Sequence, residues 1–217
     1  MSGIAQKVKP PSAGDVAFVG LAGWKITLAP TETWIDALDR AALASKRVRW
    51  LYAIQGPKDV YYKDKELDLA RLAEAIAANR PSTVILAAHS SGAFVAHALL
   101  ELIPAGPRVV YFNLDGGERF LSPKARARAD EIVFVAATDP AIHTSTPHKA
   151  EMKKAAAKFH GEFLDIEAPE SGCRKGATWC MHMTLITTRP HDPKKAGGEI
   201  DYTDFGALEP ATAWLKL

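Results

Sequence analysis

The sequence predicts an α/β fold, with a mostly parallel central sheet and helices on both faces. Three observations predict it. Short apolar runs alternate with helical stretches along the chain. The connections between them are short, as they are in crossover units that return the chain to the same sheet edge. The run Thr83-Val-Ile-Leu-Ala-Ala88 carries no charge, which suits a strand buried on both faces.

The elements follow in order. Val16–Val19 is a short apolar strand ended by Gly20. Thr31–Ser45 reads as a helix, with Trp34, Leu38, Ala41, Ala42 and Ser45 on one face. Val48–Tyr52 is a strand, stopped by Gln55-Gly-Pro57. Lys65–Asn79 is a helix burying Leu69, Leu72, Ala73 and Ile76. After the strand Thr83–Ala88 comes a helix from Ser91 to Ile103, halted by Pro104. Arg108–Phe112 is a strand, Pro123–Asp130 a short helix, and Ile132–Ala136 another buried strand. Pro147–His160 is a helix, Glu162–Ile166 the last strand, and Leu208–Leu215 a final helix. The start through Gly14 reads as a loose arm, and Thr188–Gly198, with its prolines and paired glycines, as a surface loop. The organisation is therefore an arm over residues 1–14 and one domain over 15–217.

Composition narrows the function. The chain has 217 residues, 47% hydrophobic and 24% charged, which excludes disordered and collagen-like classes. The net charge is +2, with basic residues scattered, so the concentrated patch of a nucleic-acid binder is missing. Lys124-Ala-Arg126-Ala-Arg128 and Lys153-Lys154 read as solvated helix faces. No apolar run has the length of a membrane span, and no signal peptide is visible. A cytoplasmic location is thereby favoured, or a leader was removed. The oligomeric state is left open.

The chemistry concentrates after the most buried strand. Ala88-His89-Ser90-Ser91-Gly92 is small-x-Ser-x-small, placed between a strand and a helix. A turn that tight needs small residues two before and two after the serine, and it lifts the hydroxyl above the sheet. A serine hydroxyl is a weak nucleophile and needs a base within hydrogen-bond reach.

From Val16 onward the chain resembles the α/β-hydrolase fold superfamily, in its small form without a cap domain. Ala88–Gly92 is similar to that family's nucleophile elbow, with Ala88 in place of the commoner glycine. Val19-Gly20-Leu21-Ala22-Gly23 is similar to the family's His-Gly-x-x-Gly segment, with Val19 replacing the histidine. The resemblance implies a triad in the order serine, acid, histidine. Its members would be Ser90, Asp139 after the strand Ile132–Ala136, and His182 after the last strand. Asp115, in Leu114-Asp-Gly-Gly117, is the rival acid. The oxyanion donors would be the backbone N–H groups of Leu21 and Ser91. The stretch between the strands at Phe112 and Ile132, where caps are inserted, holds only one short helix, which implies an open site. Trp24, Tyr61 and Tyr62 are candidate walls for the substrate.

Competing readings stand beside these. Ser90 or Ser91 suits a helix N-cap. His143 and His148 read as loop or helix-surface residues, and His89 as supporting structure. Cys173 and Cys180 are either bridged, steadying the segment before His182, or free thiols. A zinc site is not supported, since no paired Cys-x-x-Cys occurs. Neither metal nor cofactor is expected. The implied function is cleavage of a small-molecule carboxylic ester through an acyl-enzyme. Thioester or amide cleavage, acyl transfer, and binding without catalysis on the same scaffold are alternatives.

Overall fold

A computed structural model describes residues 4–8, 15–24, 45–168 and 171–186 of the chain, and for 5–8 only the backbone. The expected helix over 31–45, all but its last residue, the loop over 188–198 and the final helix over 208–215 lie outside the described residues.

Among the described residues eight strands form one sheet: β1 (Ile4–Val8), β2 (Val16–Leu21), β3 (Val48–Ile54), β4 (Thr83–His89), β5 (Arg108–Leu114), β6 (Glu131–Asp139), β7 (Thr144–Ser145) and β8 (Glu162–Glu167). The order runs β1-β3-β2-β4-β5-β6, with β8 parallel on β6 and the two-residue β7 folded back antiparallel on the end of β6. The pairings β3-β2-β4-β5-β6 are all parallel. The chain steps from β2 out to β3 and then crosses to β4 on the other side. The crevice at the carboxyl ends of β2 and β4 is therefore the switch point, where open α/β sheets bind ligands.

The N-terminal segment corrects the expectation of a loose arm. Residues 4–8 pair antiparallel with Val48–Ile54, from Ile4 opposite Ile54 to Val8 opposite Trp50. The polar Gln6-Lys7 pair suits an edge strand, and the long-range partner that makes it one is invisible locally.

Alternation along the strands divides the core. Ala17, Val19, Leu21, Tyr52, Leu86 and Tyr111 face one side and pack under α1 (Leu69–Asn79), α2 (Gly92–Leu100), α3 (Pro123–Arg128) and α4 (Lys149–Phe159). Phe18, Leu51, Ile85, Phe112 and Val135 face the other, against Met181, Met183 and Leu185 of α5 (Thr178–Thr184) and its C-cap. Helix starts follow their caps. The Asp68 side chain accepts from Arg71 N–H, so α1 begins at Leu69 rather than Lys65. The Ser122 hydroxyl accepts from Ala125 N–H, with Pro123 at the first helical position of α3. The segment between β5 and β6 holds only α3, so no cap domain is inserted there. The architecture is the expected one, a mostly parallel α/β sheet with helices on both faces. No helix among the described residues is long and apolar enough to cross a membrane.

One buried histidine ties this core to the loop above it. His97 Nδ1 lies 3.1 Å from the Arg119 carbonyl, which only accepts, so Nδ1 carries the proton. Nε2 then accepts from the Tyr111 hydroxyl at 3.1 Å. Burial pushes His97 down to about 4 from 6.5. The unfolded chain takes up this proton first, so stability is full above pH 6.5 and declines between 6.5 and about 4. Denaturant midpoints are expected to fall across that window, and less steeply in His97→Gln. A midpoint independent of pH there contradicts this account.

Candidate active site

The turn from β4 into α2 carries Ser90 at φ 55°, in the left-handed region. A non-glycine residue there stores roughly 1–3 kcal/mol of strain, which surrounding structure must hold. The restraints are visible. Ser90 N–H donates to the Leu114 carbonyl at 3.1 Å, and the Ser90 carbonyl accepts from Ala93 N–H at 3.0 Å. Gly92 has to be small, because a Cβ there would lie 2.6 Å from the carbonyl oxygens of Leu21 and Ala22. Neither serine serves as a simple cap: Ser91 is the N-cap residue of α2 and makes no side-chain cap bond.

Ser90 lines an open cavity of about 770 Å3, together with Ser91, Tyr61, Phe94, Asp115, His148 and Trp179 among others. Asp115 sits at the end of β5 with φ 49°, and its side chain is fully buried. Its turn is fixed by Asn113, whose Oδ1 accepts from Gly116 N–H and whose Nδ2 donates to the Gly117 carbonyl, both at 2.9 Å. A Cβ on Gly116 would fall 2.4 Å from the Ser90 carbonyl, so only glycine lets the two turns meet.

His182 Nδ1 lies 2.6 Å from Asp115 Oδ2, and Asp115 Oδ1 accepts from His148 N–H at 3.1 Å. With Nδ1–H donated to the carboxylate, Nε2 is the bare nitrogen. His182 is carried by α5, whose start is stapled by the Cys173–Cys180 disulfide. The two cysteines are thus bridged rather than free. His89 supports the same residue from below. Its Nε2 is 3.0 Å from the His182 carbonyl, and its ring lies 4.3 Å from the His182 ring. Trp179, one helical turn before His182, packs on it edge-on at 5.2 Å and is half exposed in the cavity.

Burial pushes Asp115 up to about 7, against the charge and amide N–H of His148. Burial pushes His182 down to about 3, with the charge of His148 adding to it. The imidazole therefore stays neutral, while the carboxylate takes a proton as pH falls through about 7.

Three expectations are corrected. Asp139 does not reach the histidine. It is buried at the β6–β7 reversal, where Oδ2 accepts the Ser171 hydroxyl at 2.6 Å and Oδ1 the Ala141 N–H at 3.0 Å. Leu21 is the last residue of β2, registered on Ile54 and Ala88, with its carbonyl against Gly92. The turn meets the serine two residues later, where a Cβ on Gly23 would stand 3.1 Å from Ser90 Cβ. Trp24 does not wall the cavity; its indole N–H donates to the Lys58 carbonyl at 2.9 Å. Tyr62 turns inward, with its hydroxyl on the Leu67 carbonyl, and lines only a neighbouring hollow. Tyr61, Ser90 and Ser91 line the cavity.

Sequence reasoning missed His148, Trp179, Phe94 and Phe120. Trp179 had a signal, since it stands three residues before His182 and shares its face if the segment is helical. His148 had none, because the β7 reversal brings it over Asp115.

No protein-family model matches the chain, and neither does any curated protein. Among solved structures it is similar to a predicted CIB-like hydrolase from Thermoplasma acidophilum, at 17% identity over 83% of this chain and 86% of that one, with a TM-score of 0.48. It is also similar to LpqC, a poly(3-hydroxybutyrate) depolymerase from Bordetella parapertussis, at 14% identity over 84% of this chain and 81% of that one, with a TM-score of 0.44.

Proposed function

We propose that the chain is a serine hydrolase that cleaves carboxylic esters through an acyl-enzyme. The observation that carries this reading is the pairing of His182 Nδ1 with the buried Asp115 carboxylate at 2.6 Å, with Asp115 on the lining of the cavity that also holds Ser90 at φ 55°. Asp115 fixes the imidazole tautomer and stabilises the imidazolium. His182 Nε2 takes the Ser90 proton as Oγ attacks the ester carbonyl, and returns it to the leaving alcohol. Water then repeats the sequence to release the acid.

The developing oxyanion needs preorganised donors. Ser91 N–H, at the start of α2, is one. The Gly23–Trp24 turn supplies the other, in place of Leu21. Gly23→Ala is expected to push this turn away from Ser90 and lower kcat by about a hundred-fold, as the loss of one donor does. An unchanged kcat contradicts this placement.

Because the working form needs an ionised Asp115, kcat/KM is expected to rise with pH through about 7. A profile flat through that range contradicts the pairing. The activity itself is tested with p-nitrophenyl esters of rising acyl length, with a matched thioester and anilide beside them. Ester cleavage that is lost in Ser90→Ala is expected. Faster turnover of the thioester or the anilide would reassign the substrate bond.

A further inference from the structure

A second hollow of about 290 Å3 adjoins the cavity that holds Ser90, and Tyr61, Phe94 and Phe120 line both. Their ring centroids stand 5.7, 5.7 and 6.3 Å apart, a closed triangle. Phe94 rises from the first turn of α2, three residues after Ser91, so the triangle begins beside the nucleophile. Phe120 is 58% exposed, on the loop that His97 anchors through the Arg119 carbonyl.

Cations surround these rings. The Arg119 guanidinium lies 5.0 Å from the Tyr61 centroid and 5.9 Å from that of Phe120. Lys63 Nζ lies 5.6 Å from the same Tyr61 ring, and Lys65 lines the hollow. Of the carboxylates that line the two hollows, Asp115 holds His182, Glu118 pairs with Lys158 at 2.7 Å, Glu151 stands 3.4 Å from His148 Nδ1, and Glu101 accepts the Ser122 hydroxyl at 2.5 Å. The surface is thus apolar along its length and positive at its edge. An uncharged chain would use only the first property.

We propose that the triangle is a subsite for a substrate whose acyl arm is apolar and ends in an anion, such as a carboxylate. The methylene chain lies on Tyr61, Phe94 and Phe120, and the anion rests between Arg119 and Lys63. The inference rests on the reading of Ser90 as nucleophile. It commits the site to monoesters of dicarboxylic acids over esters of plain fatty acids of equal length.

The test compares p-nitrophenyl hemisuberate with p-nitrophenyl octanoate, and uses p-nitrophenyl acetate as the short reference. KM for the hemisuberate is expected to be about tenfold lower than for the octanoate at low salt, with the gap narrowing as salt is raised. In the double variant Lys63→Gln, Arg119→Gln the two KM values should converge. Acetate cleavage that needs Ser90, with equal KM for the two long esters, overturns the subsite and leaves the hydrolase reading standing. If no ester is cleaved, calorimetry with monomethyl suberate and methyl octanoate decides. Tighter binding of the suberate, lost in the double variant, supports the subsite, and equal or absent binding overturns it.

Discussion

Asp115→Asn is expected to lower kcat about ten-thousand-fold while the protein stays folded. An asparagine keeps the shape of the side chain but presents a neutral group to His182 Nδ1. The imidazole then favours the wrong tautomer, and in the serine-protease template that change costs about this factor. The loss should be large because the 2.6 Å bond to Asp115 is what holds the imidazole by Nδ1. Asp139→Asn is the matched control. Its Oδ1 serves the Ala141 amide, which an asparagine oxygen can still accept, and its Oδ2 the Ser171 hydroxyl, which can turn to accept from the asparagine NH2. A loss under about tenfold is expected there. Steady-state kinetics on a p-nitrophenyl ester checks both, and reversed penalties would return the acid role to Asp139.

The second large effect concerns the two adjacent serines. Ser90→Ala removes the nucleophile and should lower kcat by about a million-fold, the scale seen when a triad serine is lost. Ser91→Ala keeps the backbone N–H that the mechanism uses and should cost less than about tenfold. The mirror-image result would mean that the elbow is read in the wrong register.

The strand–turn–helix around Ser90 was legible because everything that makes it is local. A fully apolar strand, small residues at Ala88 and Gly92 and an immediate helix occupy one continuous stretch, and φ 55° at Ser90 follows from them. The parallel core was legible for the same reason, since burial on both faces leaves its mark on each strand separately. The aspartate that pairs with His182 was not, because two strand ends offer one and chain order admits either. The choice is made by tertiary contacts: the Asn113-braced turn that aims Asp115, the β7 reversal that occupies Asp139, and the disulfide at the start of α5. The end of β2 was misplaced by one residue. Gly20 looks like the end of β2, yet the ladder continues to Leu21, and the turn that meets Ser90 moves on to Gly23. Tyr61 and Tyr62 differ for a reason no pattern of hydrophobicity holds. Tyr61 N–H is taken by the Asp59 side chain, and the backbone at Tyr62 turns to φ 54°, so one ring faces the cavity and the other the core.

The central claim is that Ser90 is a nucleophile activated by His182 held on Asp115. The most direct measurement is covalent labelling by a fluorophosphonate, located by peptide mass spectrometry, since that reagent reports the activated hydroxyl without requiring the natural substrate. The account predicts a single adduct on the peptide carrying Ser90, at a rate that collapses in His182→Ala and in Asp115→Asn and stays near that of the unaltered protein in Asp139→Asn. An unlabelled Ser90 in the folded protein, or labelling that ignores His182, would contradict it and leave a binding protein on a hydrolase scaffold.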